Sequence, residues 1–231
     1  MEIFDVSACE SKIGYVFNDK TLLIKAFTHA SYAHDNGLED NDRMEFFGDS
    51  IMEYIVTEHL YKKGKGDAGT MTQARAEMVS KTPLNQAFFR LKLTKHILLS
   101  EGQKKNLKKD EKIYSSVYEA IVCAIYLDGG IVPCKRFVKK TLISVYETIC
   151  KQKAKECNSA IVKSQFQEYV QKNKLGDIEY KLVKKSGPDH SAEFTIDLYL
   201  NGKKLAQGKG SSIKTASAQS AQKALKKLKN K

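Results

Sequence analysis

The chain has 231 residues, of which 42% are hydrophobic, so it is long enough to bury one core, or two if one domain is small. That hydrophobic content excludes general disorder. The apolar run IVCAIYL at 121–127 is far too short to cross a bilayer, and the N-terminus lacks the features of a targeting signal. We therefore expect a soluble protein with no membrane partner.

The excess positive charge is concentrated in the last third of the chain. Residues 151–231 contain 18 Lys, no Arg and 7 acidic residues, a net charge of +11, whereas residues 1–150 have a net charge of +1. A basic module beside a neutral one is typical of a protein whose tail binds a polyanion by counterion release. A solvated Lys-rich surface that aids solubility would give the same count, so charge alone leaves both interpretations open.

From Lys20 to about Cys150, apolar residues recur at steps of three and four with few Pro or Gly breaks, which predicts a nearly all-helical domain over 1–150. The polar, weakly patterned stretch that follows predicts a linker over 151–159. The five cysteines are odd in number and show no CxxC spacing, so we expect reduced thiols and a cytoplasmic location.

The pattern of apolar and polar residues changes in the C-terminal module, at 160–229. IVKSQFQEYVQKN predicts a short amphipathic helix, and IEYKLVKK and AEFTIDLYL alternate as half-buried strands do. The second strand ends at Asn201-Gly202, a strong hairpin signal, before the strand KKLAQGKG and the closing helix IKTASAQSAQKALKKL. The predicted fold class is thus an all-α N-terminal domain followed by an α+β domain of order α-β-β-β-α.

The segment NDRMEFFGDSIMEYIV carries the most chemical information. On a helix, Asp42, Glu45 and Asp49 fall within an arc of roughly 60°, with Glu53 close to it. Four apolar side chains are predicted to cluster on the opposite side: Met44, Phe47, Ile51 and Ile55. An ordinary amphipathic surface helix would look much the same, with its acids solvated.

Two features of this helix favour a functional interpretation. Three acids on one face repel one another unless a cation neutralises them, and Arg43, the only nearby base, lies at the wrong angle. Phe46 projects beside the carboxylates rather than towards the core, and a large exposed aromatic side chain there indicates a partner surface.

Several segments together resemble the ribonuclease III family. They are AFTHASY, NDRMEFFGDS and SSVYEAIVCAIYLDGG in the helical part, and IVKSQFQEYVQKN, GPDHSAEF, NGKKLAQGKG and the closing helix in the basic part. The resemblance implies an all-α endonuclease domain joined to a double-stranded-RNA-binding domain. It also implies hydrolysis of phosphodiesters in RNA duplexes, giving staggered cuts with 5′-phosphate ends, in rRNA and mRNA processing.

The resemblance also implies residue roles. Glu45, Asp49 and Glu119 would bind divalent metal, normally Mg²⁺ with Mn²⁺ able to substitute, and Asp49 and Glu119 would be catalytic. Asp42 would be an outer acid. Phe46 would insert into the second subunit of a homodimer, and no small-molecule cofactor is implied.

One position departs from the family pattern. Ser116 stands three residues before Glu119, where the family usually has a metal-ligating Asp, and the preceding residue is also Ser. A hydroxyl can hold a metal-bound water but carries no charge, so metal affinity should fall. Our hypothesis is an active enzyme with a weakened or altered metal requirement. The alternative is a double-stranded-RNA-binding dimer that cuts poorly or not at all.

In the basic module, one polar helix face has the spacing i, i+3, i+4 and i+7 and could reach ribose hydroxyls in the RNA minor groove: Ser164, Gln167, Glu168 and Gln171. By resemblance, His190 would enter the next minor groove and Lys214 would contact phosphate. Lys209, with Lys223, Lys226 and Lys227 of the closing helix, would add diffuse positive charge towards the RNA phosphates. We expect shape-selective, strongly salt-sensitive duplex binding. A helical protein whose basic tail binds membranes or acidic partners is a third interpretation, but it gives the three strands no role.

Overall fold

The computed structural model describes residues 4–64, 66–108, 112–188 and 192–229, and the chain divides into two compact units, Met1–Ile149 and Cys150–Lys231. The first unit is helical, as predicted. Its helices are α1 (Val6–Ile13), α2 (Lys20–Ala26), α3 (Ala30–Asn36), α4 (Asp42–Lys63), α5 (Ala68–Met78), α6 (Lys81–Leu91), a 3₁₀ turn (Thr94–His96), α7 (Glu101–Asn106), α8 (Ile113–Gly129), α9 (Ile131–Val138) and a π-helical turn (Lys139–Ile143).

The centre of the first unit is α8, which is apolar on nearly every side. Its run from Ile113 to Ile125 is buried apart from Glu119, and α8 packs against α2, α4, α6 and α9. A helix that is hydrophobic all round belongs in a core, because it has no face that water can cover without cost. Glu119, a half-buried acid in the middle of this buried run, is therefore conspicuous.

The helix α10 spans Ser144–Lys172 and so runs through the stretch that we interpreted as a linker. The sequence from Ser144 to Lys172 contains neither Pro nor Gly, and Lys, Gln, Ala and Glu are good helix formers. Nothing in the local sequence therefore ends the helix before Lys172. The predicted amphipathic helix at 161–173 is the last part of α10 and does not begin as a separate element.

The second unit continues with three antiparallel strands, β1 (Ile178–Ser186), β2 (Glu193–Leu200) and β3 (Lys203–Gly210), in the order β1-β2-β3, and ends with α11 (Ile213–Lys229). Leu200 pairs with Lys203 across a two-residue turn, in which Asn201 and Gly202 both have positive φ. This is the backbone that a tight hairpin requires, and it confirms the predicted Asn-Gly turn.

Side chains from both helices and two strands form the core of the second unit. The fully enclosed members are Phe166, Val170, Leu198, Ala206, Ala221 and Ala224. The small alanines let α11 lie close to the sheet, where the large aromatic ring of Phe166 fills the remaining volume. The predicted α-β-β-β-α order is confirmed.

Candidate active site and RNA-binding face

Side chains of α4 and α8 form the candidate active site. Asp42, Glu45 and Asp49 of α4 line the same cleft as Glu119 of α8, together with Phe46 and Lys112. Asp42 and Glu45 lie in the first turn of α4, where the helix dipole favours negative charge. The acids predicted to share one face of a helix therefore meet the acid predicted to come from the second helix.

Gly48 sets the distance between these two helices. A Cβ atom at this position would lie 1.9 Å from the backbone oxygen of Glu119 and 2.7 Å from its carbonyl carbon. Only a residue without a side chain lets α4 approach α8 this closely. Gly48 thus lets the backbone of Glu119 lie close to α4, next to Asp49, which follows Gly48 in the sequence. Gly48 lies within the segment NDRMEFFGDS, but its spacing in the sequence does not indicate this role.

Crowding of the carboxylates changes their protonation. Burial, with the added negative charges of Asp49 and Glu45, raises the pKa of Glu119 to about 8. Burial also raises the pKa of Asp49, with further contributions from Glu53 and Glu45. Each of these acids would be easier to ionise beside a cation, which is the electrostatic condition of a metal-binding carboxylate cluster.

Lys112 supplies a cation that the sequence analysis missed. Its Nζ lies 2.8 Å from Glu45 Oε1, and this bond raises the pKa of the Lys112 ammonium. Our prediction that Arg43 is the only base near the acids was therefore wrong. Lys112 precedes α8 and is remote from α4 in sequence, so only the packing of the two helices brings it to Glu45.

Ser116 lies one turn before Glu119 and is buried. Its hydroxyl donates a hydrogen bond to the backbone carbonyl of Lys112 at 3.3 Å, so it is engaged within its own helix. A hydroxyl bonded to the i−4 carbonyl is a common arrangement for serine in helices. The role of Ser116 towards a metal stays a prediction.

The donors in the cleft are hard carboxylate oxygens, which suit Mg²⁺ and related divalent cations. Across residues 4–64, 66–108, 112–188 and 192–229, however, no three Asp, Glu, His or Cys side chains lie close enough together to hold a metal ion as they stand. The carboxylates suit a divalent cation chemically, and their side chains would have to move closer together to bind it. Release of Glu45 from Lys112 is one movement that would bring a ligand in.

Phe46 is 79% exposed, as predicted, and it borders an apolar depression as well as the acid cleft. That depression is lined by Lys25, Asp42, Arg43, Met44, Phe46, Phe47, Cys123 and Leu127. The prediction that Phe47 points to the core was wrong. Its side chain is 40% exposed, and its ring packs edge-on against that of Tyr126, with 5.6 Å between the ring centroids. This side of α4 therefore lies at the edge of the core.

In the second unit, the predicted RNA-binding residues of α10 share one exposed face. Ser164, Gln167, Glu168 and Gln171 are exposed, whereas Phe166 and Val170 on the other side are buried. The Ser164 hydroxyl donates to Glu168 Oε1 at 3.1 Å. The helix therefore buries its apolar side and presents a row of uncharged and acidic hydrogen-bonding groups to solvent.

The two predicted phosphate-binding lysines are both exposed. Lys214 lies in the first turn of α11, and Lys209 lies near the end of β3, with its ammonium 3.4 Å from Glu193. Ser217, three residues after Lys214 in α11, is buried and could not reach phosphate. His190 lies outside the described residues.

Lysines of α11 also contact the neighbouring strand. The ammonium groups of Lys223 and Lys227 donate to the backbone carbonyls of Gln207 and Leu205, each at 3.0 Å. By family resemblance, lysines of this helix are predicted to add diffuse positive charge for RNA. These two are instead bonded to β3.

Comparison with known proteins agrees with both units. A family model described as Ribonuclease-III-like matches residues 19–146, and one described as double-stranded RNA binding motif matches residues 162–228. The chain is 34% identical over 223 residues to "Ribonuclease 3" of Caldanaerobacter subterraneus subsp. tengcongensis, which covers 95% of this chain and 96% of that relative. It is 35% identical over 225 residues to "Ribonuclease 3" of Bacillus cereus strain G9842, with 95% and 90% covered.

A solved structure of the nuclease domain of ribonuclease III from Campylobacter jejuni is similar to 62% of this chain and 99% of that one, with a TM-score of 0.58 and 30% identity. It is described as showing structural flexibility in a region involved in dimer formation. Within the described residues, no helix is both long enough and apolar enough to span a membrane.

The carboxylate cleft and the α-β-β-β-α module together define a nuclease that carries its own domain for double-stranded RNA. The matches extend over nearly the whole length of the chain and of its relatives. The chain belongs to the ribonuclease III family of metal-dependent endoribonucleases.

Proposed function

We propose that residues 1–150 cut RNA duplexes by Mg²⁺-dependent phosphodiester hydrolysis, despite Ser116, while residues 160–229 hold the duplex. The observation that carries this proposal is that Glu45, Asp49 and Glu119, from two helices held together at Gly48, line one cleft. Mn²⁺ has the same preference for oxygen ligands and could substitute. Staggered cuts with 5′-phosphate ends, in rRNA and mRNA processing, are part of the proposal by family likeness.

The roles proposed for the side chains follow from their places. Glu45 and Glu119 lie on opposite walls of the cleft and would bind the metal, with Asp49 orienting ligands or water and Asp42 as an outer acid at the exposed edge. Bound Mg²⁺ supplies an activated water and stabilises negative charge on the phosphate. Ser116 would contribute through a water molecule, without a charge.

Cleavage of a long RNA duplex tests the proposal, with the wild type, Ser116→Asp and Glu119→Gln assayed over a range of Mg²⁺ concentrations. We expect the wild type to cut and Ser116→Asp to reach half its maximal rate at about tenfold lower Mg²⁺, because an added carboxylate attracts the cation. Glu119→Gln should lose at least about a hundredfold in rate, because a ligand is removed. Duplex binding without cutting by the wild type would instead support the non-catalytic interpretation.

For the second unit, we propose that the exposed face of α10 enters an RNA minor groove while Lys209 and Lys214 contact phosphates. The face presents hydroxyl, amide and carboxylate groups that can bond ribose 2′-hydroxyls, which distinguish RNA from DNA. Lys214 stands where free N–H groups of a helix terminus also favour phosphate. His190 belongs to this proposal through its family likeness alone.

A homodimer is the proposed assembly, with Phe46 inserted into the partner subunit. An aromatic ring that is 79% exposed beside an apolar depression is costly to leave in water, and covering it recovers about 1.5–3 kcal/mol. We expect Phe46→Ala to weaken dimerisation by at least about tenfold in sedimentation equilibrium. The control is Tyr61→Ala, which removes another exposed aromatic ring far along α4. An unchanged dimer constant for Phe46→Ala would contradict the proposal.

We also propose a cytoplasmic location. All five cysteines are free, three of them buried, which suits a reducing compartment.

A further inference from the structure

The Lys112 ammonium forms an ion pair inside a cleft that is otherwise lined by carboxylates and Phe46. Its Nζ lies 2.8 Å from Glu45 Oε1, and its charge also interacts favourably with Glu119 and Asp42. A tethered cation therefore already neutralises part of the negative charge that would attract a metal.

Lys112 also has a particular place relative to Ser116. Residues 112, 116 and 119 stand at i, i+4 and i+7 and so share one side of α8, with the Ser116 hydroxyl bonded to the Lys112 carbonyl. The side of the helix that has Ser in place of the usual acid thus also carries a cation one turn earlier. Both features lower the negative charge of the cleft.

The two partners of the ion pair differ in how firmly they are held. The Lys112 side chain is 76% exposed, whereas that of Glu45 is 20% exposed. An exposed lysine can return to water at little cost, while the carboxylate stays at the wall of the cleft. The pair can therefore open without a rearrangement of α4 or α8.

We propose that Lys112 is a positioning residue that holds Glu45 in the metal-free protein and competes with the divalent cation for it. Metal binding is then an exchange, in which the ammonium leaves Glu45 as the metal arrives. This inference rests on the proposed function, because it requires Glu45 to be a metal ligand. Its consequence is a nuclease that needs a higher free metal concentration than the carboxylates alone would set.

The test is direct measurement of Mg²⁺ binding to the full chain without RNA, by titration calorimetry after removal of metal with a chelator. We expect Lys112→Gln to lower the Kd for Mg²⁺ about five- to tenfold, because an adjacent positive charge is removed. Lys112→Arg keeps the charge and should stay near the wild type. The gain in Lys112→Gln should shrink as KCl is raised, since salt screens the competing charge.

The matched control is Lys62→Gln, which removes a lysine of similar exposure from its pair with Glu58 at 3.1 Å, away from the cleft. Its Mg²⁺ affinity should equal that of the wild type. Circular dichroism and the Tm in chelator verify that each variant is folded.

A Lys112→Gln variant that binds Mg²⁺ no more tightly than the wild type, or that shows no binding at all, overturns the inference. Glu119→Gln separates this result from failure of the proposed function. If Glu119→Gln binds Mg²⁺ as the wild type does, the carboxylate cleft is not the metal site and both proposals fall. If it loses binding while Lys112→Gln is unchanged, only the role of Lys112 is refuted.

Discussion

We expect Glu119→Gln to make the metal-free protein more stable at pH 8 while it removes nuclease activity. In the folded chain the pKa of Glu119 is raised to about 8, above the 4.5 of an ordinary glutamate, so the folded state keeps a proton that the unfolded state releases. Stability from this group is fully present below about pH 4.5 and is lost as the pH rises towards 8. Gln does not ionise, so the Glu119→Gln variant does not lose this stability as the pH rises.

The expected difference is about 2 kcal/mol in favour of Glu119→Gln at pH 8, after allowance for the partial exposure of the site, and it should vanish near pH 4. Scanning calorimetry in the presence of a chelator can follow the unfolding of the helical unit at both pH values. Glu101→Gln removes a carboxylate at an exposed position and is the control; it should be no more stable than the wild type at pH 8. Equal stabilities of wild type and Glu119→Gln at pH 8 would contradict the prediction.

We expect Gly48→Ala to destabilise the helical unit by about 3 kcal/mol and to abolish cleavage. Alanine is intrinsically better than glycine inside a helix by about 1 kcal/mol, so helix propensity alone predicts the opposite sign. The new Cβ, however, would lie 1.9 Å from the Glu119 carbonyl oxygen, which is backbone of a buried helix and cannot swing aside. Relief of this clash would separate Glu119 from Asp49.

Gly102→Ala is a matched control for this substitution. Gly102 is also in a helix, and a Cβ there would have no neighbour within 4 Å, so the variant should be as stable as the wild type or slightly more so. Thermal unfolding followed by circular dichroism measures both variants. A Gly48→Ala protein with wild-type Tm and activity would show that the close approach of α4 and α8 is not required.

The parts of the site that the sequence predicted are those set by local periodicity. The common face of Asp42, Glu45 and Asp49 follows from their spacing on one helix, as does the exposure of Phe46 beside them. The hairpin at Asn201-Gly202 follows from the positive φ that these two residues tolerate. Such features depend on a few neighbouring residues, so they can be predicted before the fold is known.

Other features depend on packing between distant segments, which local periodicity does not predict. Phe47 has helical spacing with the buried Ile51, but it lies at the edge of the core, and periodicity does not indicate where a core ends. Lys112 lies far from Glu45 in the sequence, with α5, α6 and α7 between α4 and α8, so no local pattern joins them. The predicted linker is a separate case: its described side chains are nearly all exposed, and an exposed helix can be as polar as a loop.

The lysines bonded to β3 have a consequence for self-association. An edge strand presents unpaired backbone groups to which a strand of another molecule can add, a route to aggregation. Lys223 and Lys227 occupy carbonyls of β3, which is an edge of the sheet, and place positive charge where a second copy would approach. We therefore expect part of the positive charge of this module to oppose strand-to-strand pairing of separate molecules at the β3 edge.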